Sequence, residues 1–377
     1  MGVNSILKRE GIEVIGPLNT LEINKIASNI SEKLCATFPE HNLDQSKLFV
    51  SIARLNMYVA KFPGNDAIAK YFYKNNSIYF SNKMDLDDLN TLAIHECIHF
   101  IQEYKNKNGK LLRLGLYNLE GAKASGMALN EAAVQLMASK ASGTELDTVR
   151  YYGMDFSTES PDFYPLQTAL IREIAYFTGT YPLFHSTLFS NDVFKNTFIA
   201  KSSEKTFTEI EKNFDLLVYY ETELANISYK LTNCPDTKSG YNKLKKFTQK
   251  SDSLKQLIFN TTLETQNIIL HDCFTKEFEQ IRDIDSLKAF QTRIYNFKNL
   301  LINAENYNYY HGFYCDMMNR LENKRDLIQK YGVLNLSEEA QRDLALVENN
   351  FYNISFFRKM INKFNLLIED RLREKNM

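Results

Sequence analysis

The chain has 377 residues, 44% of them hydrophobic, enough for a sizeable buried core without disulfide support. Its 45 basic and 46 acidic residues leave a net charge of −1, so no overall field draws in nucleic acid or an anionic membrane. The 5 cysteines (Cys35, Cys97, Cys234, Cys273 and Cys315) are scattered and never spaced as CxxC, which argues against a cysteine zinc site or redox motif and for reduced thiols.

Charges at Lys8, Arg9 and Glu10 fall where a signal peptide needs its apolar stretch, and no later segment reaches about 18 uncharged apolar residues. A soluble, cytoplasmic protein with no membrane or nucleic-acid partner is expected. Nothing in the sequence specifies the oligomeric state.

Ile23, Ile26, Ile30 and Leu34 recur at helical spacing and predict a first helix over residues 20–37, closed by Pro39. From 47 to 81 short β-branched and aromatic runs follow: KLFVSIARL, MYVAKF, AKYFYK and SIYFS, the last two joined through Asn75 and Asn76. They predict a small sheet ending in a hairpin, with SIYFS as the edge nearest the next element. Asp85 is the expected N-cap of a helix over about 86–104. KNKNGK then breaks the chain, and a Gly-containing loop leads to a helix over MALNEAAVQLMASKAS. Pro165 opens a third helix, PLQTALIREIAYFT, which Gly179 ends. Beyond about 203 the chain consists of long helical periodic stretches with few glycines or prolines. The expected class is α+β, mostly α, with domains at 1–202 and 203–377.

The chemistry is concentrated in TLAIHECIHFIQE, residues 91–103. With only 6 histidines in the chain, two stand four apart, His95 and His99, with Glu96 directly after the first. On a helix both imidazoles share a face and can reach one metal ion, and Glu96 flanks that face; this is the HExxH pattern of zinc peptidases. Zinc needs a third protein ligand. Residues 102 and 105 are Gln and Lys, so the HExxHxxGxxH pattern is absent. Glu131 is a candidate, because Ala128, Ala132 and Ala133 around it let its helix approach closely. Tyr151, Tyr152, Tyr164, Tyr181 and His185 are candidates for stabilising a developing oxyanion.

HECIHFIQE, followed by a Gly-containing loop and GMALNEAAVQLMASKASG, resembles the gluzincin branch of zinc metallopeptidases, in which a downstream helical glutamate completes HExxH. It is similar to bacterial zincin-like proteins with a G-x-x-L-N-E helix. The resemblance covers roughly residues 45–195. It implies Zn²⁺ bound by His95, His99 and Glu131, Glu96 as general base, Tyr164 as oxyanion donor with His185 as the alternative, and a peptide or protein substrate. Thermolysin-like members keep an aspartate where this chain has Gln135, so either the Gln135 amide oxygen orients a ligand histidine or that support is built differently. The expected fold is thus a zincin-like catalytic domain with a small mixed sheet and an active-site helix, followed by a helical C-terminal domain. The expected function is a zinc-dependent metallopeptidase; the alternative is a catalytically silent zinc-binding or sensing protein acting through its helical half.

Overall fold

A computed structural model describes residues 3–63, 68–84, 91–120, 124–234, 237–304, 309–334 and 337–346. In chain order, α1 (Val3–Arg9), β1 (Glu13–Pro17), α2 (Thr20–Thr37) and α3 (Gln45–Ala53) are followed by β2 (Asn56–Lys61), β3 (Ala69–Phe72) and β4 (Ser77–Ser81). Next come α4 (Thr91–Ile101), β5 (Glu103–Lys105), β6 (Leu111–Leu114), β7 (Tyr117–Asn118), α5 (Met127–Ser142), β8 (Asp147–Tyr151) and β9 (Met154–Thr158). The remainder is helical: α6 (Pro165–Thr178), α7 (Thr180–Phe189), α8 (Val193–Lys201), α9 (Glu204–Thr232), α10 (Lys238–Glu279), α11 (Ile284–Phe297) and α12 (Tyr309–Tyr331), with a short β10 (Asn303–Ala304). The class is α+β, mostly α.

The chain forms two compact units, one reaching from the N-terminal region to Asp272 and taking in the segment that begins at Leu300, the other beginning at Cys273. In the second unit Phe274 packs edge-on against Phe290 and Phe297, and the fully buried Lys324 donates to the carbonyl of Phe278 and sits 4.2 Å above its ring. Among the described residues no helix is long and apolar enough to cross a membrane.

The first unit carries a four-stranded mixed sheet in the order β1-β2-β4-β3. Strands β2 and β4 are parallel, and the other pairings are antiparallel. SIYFS is therefore not the edge: β4 lies between β2 and β3, and all five of its residues are buried. A strand covered on both faces reads as a continuous apolar run, which is how SIYFS reads. The edge beside α4 is β3. KLFVSIA is likewise not a strand but α3, capped by Asp44, whose side chain accepts from the Lys47 amide. The residues it covers are Leu48, Phe49, Ile52 and Ala53, a spacing of one helix face that outweighs their β propensity.

α4 ends at Ile101, three residues short of the expected limit, because Glu103–Lys105 pairs with β6 as a strand. The expected cap at Asp85 lies outside the described residues. The predicted loop before α5 contains β6 and β7, which with β5 form a small antiparallel sheet. A hairpin of β8 and β9, turning through Tyr152 and Gly153, was not apparent from periodicity.

α5 is the central element. Every residue from Ala128 to Ser139 is buried except Glu131. A helix buried on all sides belongs inside a protein, and its alanines at 128, 132, 133 and 138 let α2, α4, α6, α7 and α9 pack around it at short range. Glu131, the one acidic residue of the helix, is left partly exposed. Enlarging Ala133, which has no exposed surface, to leucine should cost about 1–3 kcal/mol in urea unfolding.

Candidate metal centre and catalytic site

Ala93, Ile94, Cys97 and Ile98 anchor α4 in the core with no exposed surface, which fixes the opposite placement of its histidines. His95 and His99 face each other across one turn, with Nε2 atoms 2.9 Å apart. Glu131 arrives from α5 with Oε2 3.3 Å from His95 Nε2 and Oε1 3.4 Å from His99 Nε2. Among the described residues these three form the single group of metal-ligating side chains whose donor atoms converge, all within 4.8 Å of one another.

The hydrogen bonds behind the rings decide what those atoms are. Gln102 Nε2 donates to the carbonyl of Thr187 at 3.0 Å and to Asn130 Oδ1 at 3.2 Å, so its Oε1 is the atom facing His99. That oxygen accepts from His99 Nδ1 at 2.8 Å and from Asn130 Nδ2 at 3.1 Å. On His95, Gln135 Oε1 lies 2.8 Å from Nδ1 while Gln135 Nε2 donates to Ser160 Oγ at 2.9 Å; Ser160 in turn donates to the carbonyl of Phe163. Both imidazoles thus carry their proton on Nδ1 and present a lone pair at Nε2. Gln135 bonds through its amide oxygen, the first of the two alternatives its position left open.

Two nitrogen lone pairs and a carboxylate therefore point into one small space. Such an arrangement requires a positive charge. In the metal-free protein a proton supplies it: burial opposes the charge on His99, but Glu131 and Glu96 outweigh burial and raise its pKa to about 9. Burial likewise opposes ionisation of Glu131, and the two imidazoles overcome it and hold the carboxyl well below the usual range. The donors also fit a divalent ion. At zinc–nitrogen and zinc–oxygen distances of about 2.0–2.1 Å, adjacent tetrahedral ligands stand roughly 3.3 Å apart, close to the separations present here.

Gly115 makes this support possible. It adopts φ +54°, and a Cβ there would lie 2.2 Å from Gln102 Nε2 and 2.4 Å from Asn130 Oδ1. Its amide donates to Ser190 Oγ, and its carbonyl accepts from Arg113, which is itself paired with Asp192.

Glu96 lies beside the triad and accepts a hydrogen bond from the Tyr71 amide of β3 at 2.6 Å. Burial raises its carboxyl pKa, and the neighbouring histidines counter this. Tyr164 caps α6 in the left-handed region at φ 52°, with its ring parallel to that of His95 at 6.4 Å. Burial, then the charges of Glu131 and Glu96, push its phenol pKa upward, so it remains a hydrogen-bond donor. The other oxyanion candidates have different surroundings. Tyr181 stacks with both His185 and His41, and Tyr151 donates to the carbonyl of Pro161.

Gln102, Asn130 and Tyr71 were not singled out in the sequence. Gln102 stands three residues after His99 and was within reach of helix-spacing logic. The contribution of Tyr71 is a backbone amide and has no side-chain signature. Comparison of the chain with protein-family models, curated proteins and solved structures gives no match.

Replacing Gln102 or Gln135 with alanine should weaken zinc binding by roughly 10- to 100-fold in competition with a chromophoric chelator. The metal-free protein should lose stability with rising pH. His99 has its pKa raised in the folded state, so its contribution is complete below about 6.5 and lost as pH passes about 9. A fall in Tm on the order of 5 °C across that window is expected, flattened by His99→Gln.

Proposed function

We propose that the chain is a zinc-dependent peptidase of the gluzincin type, with a zincin-like first domain. The observation that carries this reading is the convergence of His95 Nε2, His99 Nε2 and the Glu131 carboxylate beside a second carboxylate, Glu96, that is not part of the ligand group. His95, His99 and Glu131 would hold the ion. A zinc ion in that position supplies Lewis acidity, polarising the scissile carbonyl and making water a nucleophile at neutral pH.

The remaining roles belong to side chains and backbone. Glu96 takes the proton of the attacking water and returns it to the leaving amine nitrogen; a carboxyl with a raised pKa is better matched to that exchange near neutrality than an exposed one. Tyr164, kept protonated, donates to the oxygen on which negative charge develops. The edge strand β3 is the surface on which an extended peptide adds as a further strand. The Tyr71 amide points away from β4 to Glu96, so by the alternation of an antiparallel ladder the backbone groups of Ala69 and the Tyr71 carbonyl face away from β4 as well. Substrate and general base are then registered by the same strand.

Glu96→Gln should reduce hydrolysis of a fluorogenic peptide mixture by on the order of 10²–10⁴-fold while the purified protein retains its zinc. Tyr164→Phe should lower kcat by roughly 10²-fold with little change in KM. Full zinc occupancy with no hydrolysis by the parent protein would instead favour a silent zinc-binding role.

A further inference from the structure

Helix α9 carries an inward stripe of Phe214, Leu217 and Leu224, all buried. The position that continues it at helical spacing is Glu221, a carboxylate where the pattern calls for an apolar residue. Gln167, fully buried in the first turn of α6, donates to Glu221 Oε2 at 2.5 Å. That turn begins at Tyr164, whose ring lies against His95. Glu221 is therefore bonded to the same turn of α6 that Tyr164 opens, and its charge reaches the Tyr164 phenol.

Two further features converge on this carboxylate. Among the described residues five non-glycine positions have positive φ, and two are tyrosines: Tyr152 at φ 52° and Tyr164 at φ 52°. Asparagine and glycine adopt that region easily; for tyrosine it costs on the order of 1 kcal/mol or more, and such outliers gather at functional sites. Tyr152 occupies the first position of a two-residue hairpin turn whose second is Gly153, a place suited to asparagine or glycine. The phenols of both tyrosines lie in the field of Glu221. Among the described residues no lysine or arginine balances its charge, and burial pushes its pKa up to about 7. The residue is nevertheless partly exposed.

A carboxylate in an apolar stripe, held by one amide and lacking a cation, is costly to the fold. We propose that Glu221 is the specificity carboxylate of this site, binding a positively charged group of the peptide substrate, either its α-ammonium or a lysine or arginine side chain. The proposal rests on the metallopeptidase reading and names its substrate class.

The test is binding of three zinc-directed probes to the zinc-loaded full chain by calorimetry at pH 7.5: leucine hydroxamate, N-acetylleucine hydroxamate and N-acetylarginine hydroxamate. The neutral probe sets the baseline. At least one cationic probe should bind tenfold or more tighter; preference for the first assigns the α-ammonium, preference for the third a basic side chain. Glu221→Gln and Glu221→Leu should each abolish the preference and leave the neutral probe unaffected. Because both remove an uncompensated charge, both should match or exceed the parent protein in Tm, which a structural role for Glu221 would not allow. Equal binding of all three probes, a preference that survives in both variants, or an equal loss for all three would overturn the assignment while leaving the metal centre in place. Failure of all three probes to bind would instead remove the metal-site reading, and the assignment with it.

Discussion

Everything at the candidate site depends on three electron-pair donors being forced together. Two imidazole nitrogens, both with lone pairs inward, and one carboxylate are held within hydrogen-bonding distance of one another in a region of low dielectric. Left to themselves these groups would turn to solvent or to other partners. They are prevented by amides on the far side: Gln102 and Gln135 each offer a carbonyl oxygen to an Nδ1–H, and both amides are locked by their own donors. The attraction for a cation is built in when the chain folds.

The use of neutral amides has a consequence for the electronics of the site. A carboxylate behind a ligand histidine raises the basicity of the ring and adds negative charge to the centre. Glutamine orients the ring and fixes the tautomer without adding charge. Glu131 is then the one carboxylate among the three converging side chains, and Glu96, with its carboxyl pKa raised by burial, sits close by outside that group. The two acids are driven apart in proton affinity by their surroundings: histidine contacts hold one ionised, and desolvation lifts the other.

Local order around the site comes from small residues and from strain. Alanines bring α5 close to α4, and Gly115 admits the Gln102–Asn130 amide pair where any side chain would displace it. Tyr152 and Tyr164 hold left-handed backbones that their residue type disfavours, and the hairpin β8–β9 is fastened to α6 through Thr158–Thr168 and Arg172–Ser157 contacts. The scaffold is least relaxed where the chemistry is densest.

The sequence by itself determined what depends on short-range periodicity. The pairing of His95 with His99 follows from 3.6 residues per turn, and burial of α4 follows from the apolar residues between them. The alanine-rich pattern around Glu131 is equally local, as are the boundaries of α2, α5 and α6, which Asn19, Gly143 and Pro165 mark with ordinary cap chemistry. The intrusion of Glu221 into an apolar stripe was legible too, though long amphipathic helices make a single acid easy to overlook. Tertiary structure decided the rest. Whether KLFVSIA became helix or strand depended on which face met the core, and SIYFS lies between two strands because β2 pairs with it in parallel while β3, its hairpin partner, takes the outer position. The partners of Gln102 come from Asn130 and Thr187, 28 and 85 residues away, and the partner of Glu96 is a backbone amide. Contacts of that range leave no periodic trace in a single sequence, because they are selected by packing between elements and not by the propensity of any one of them.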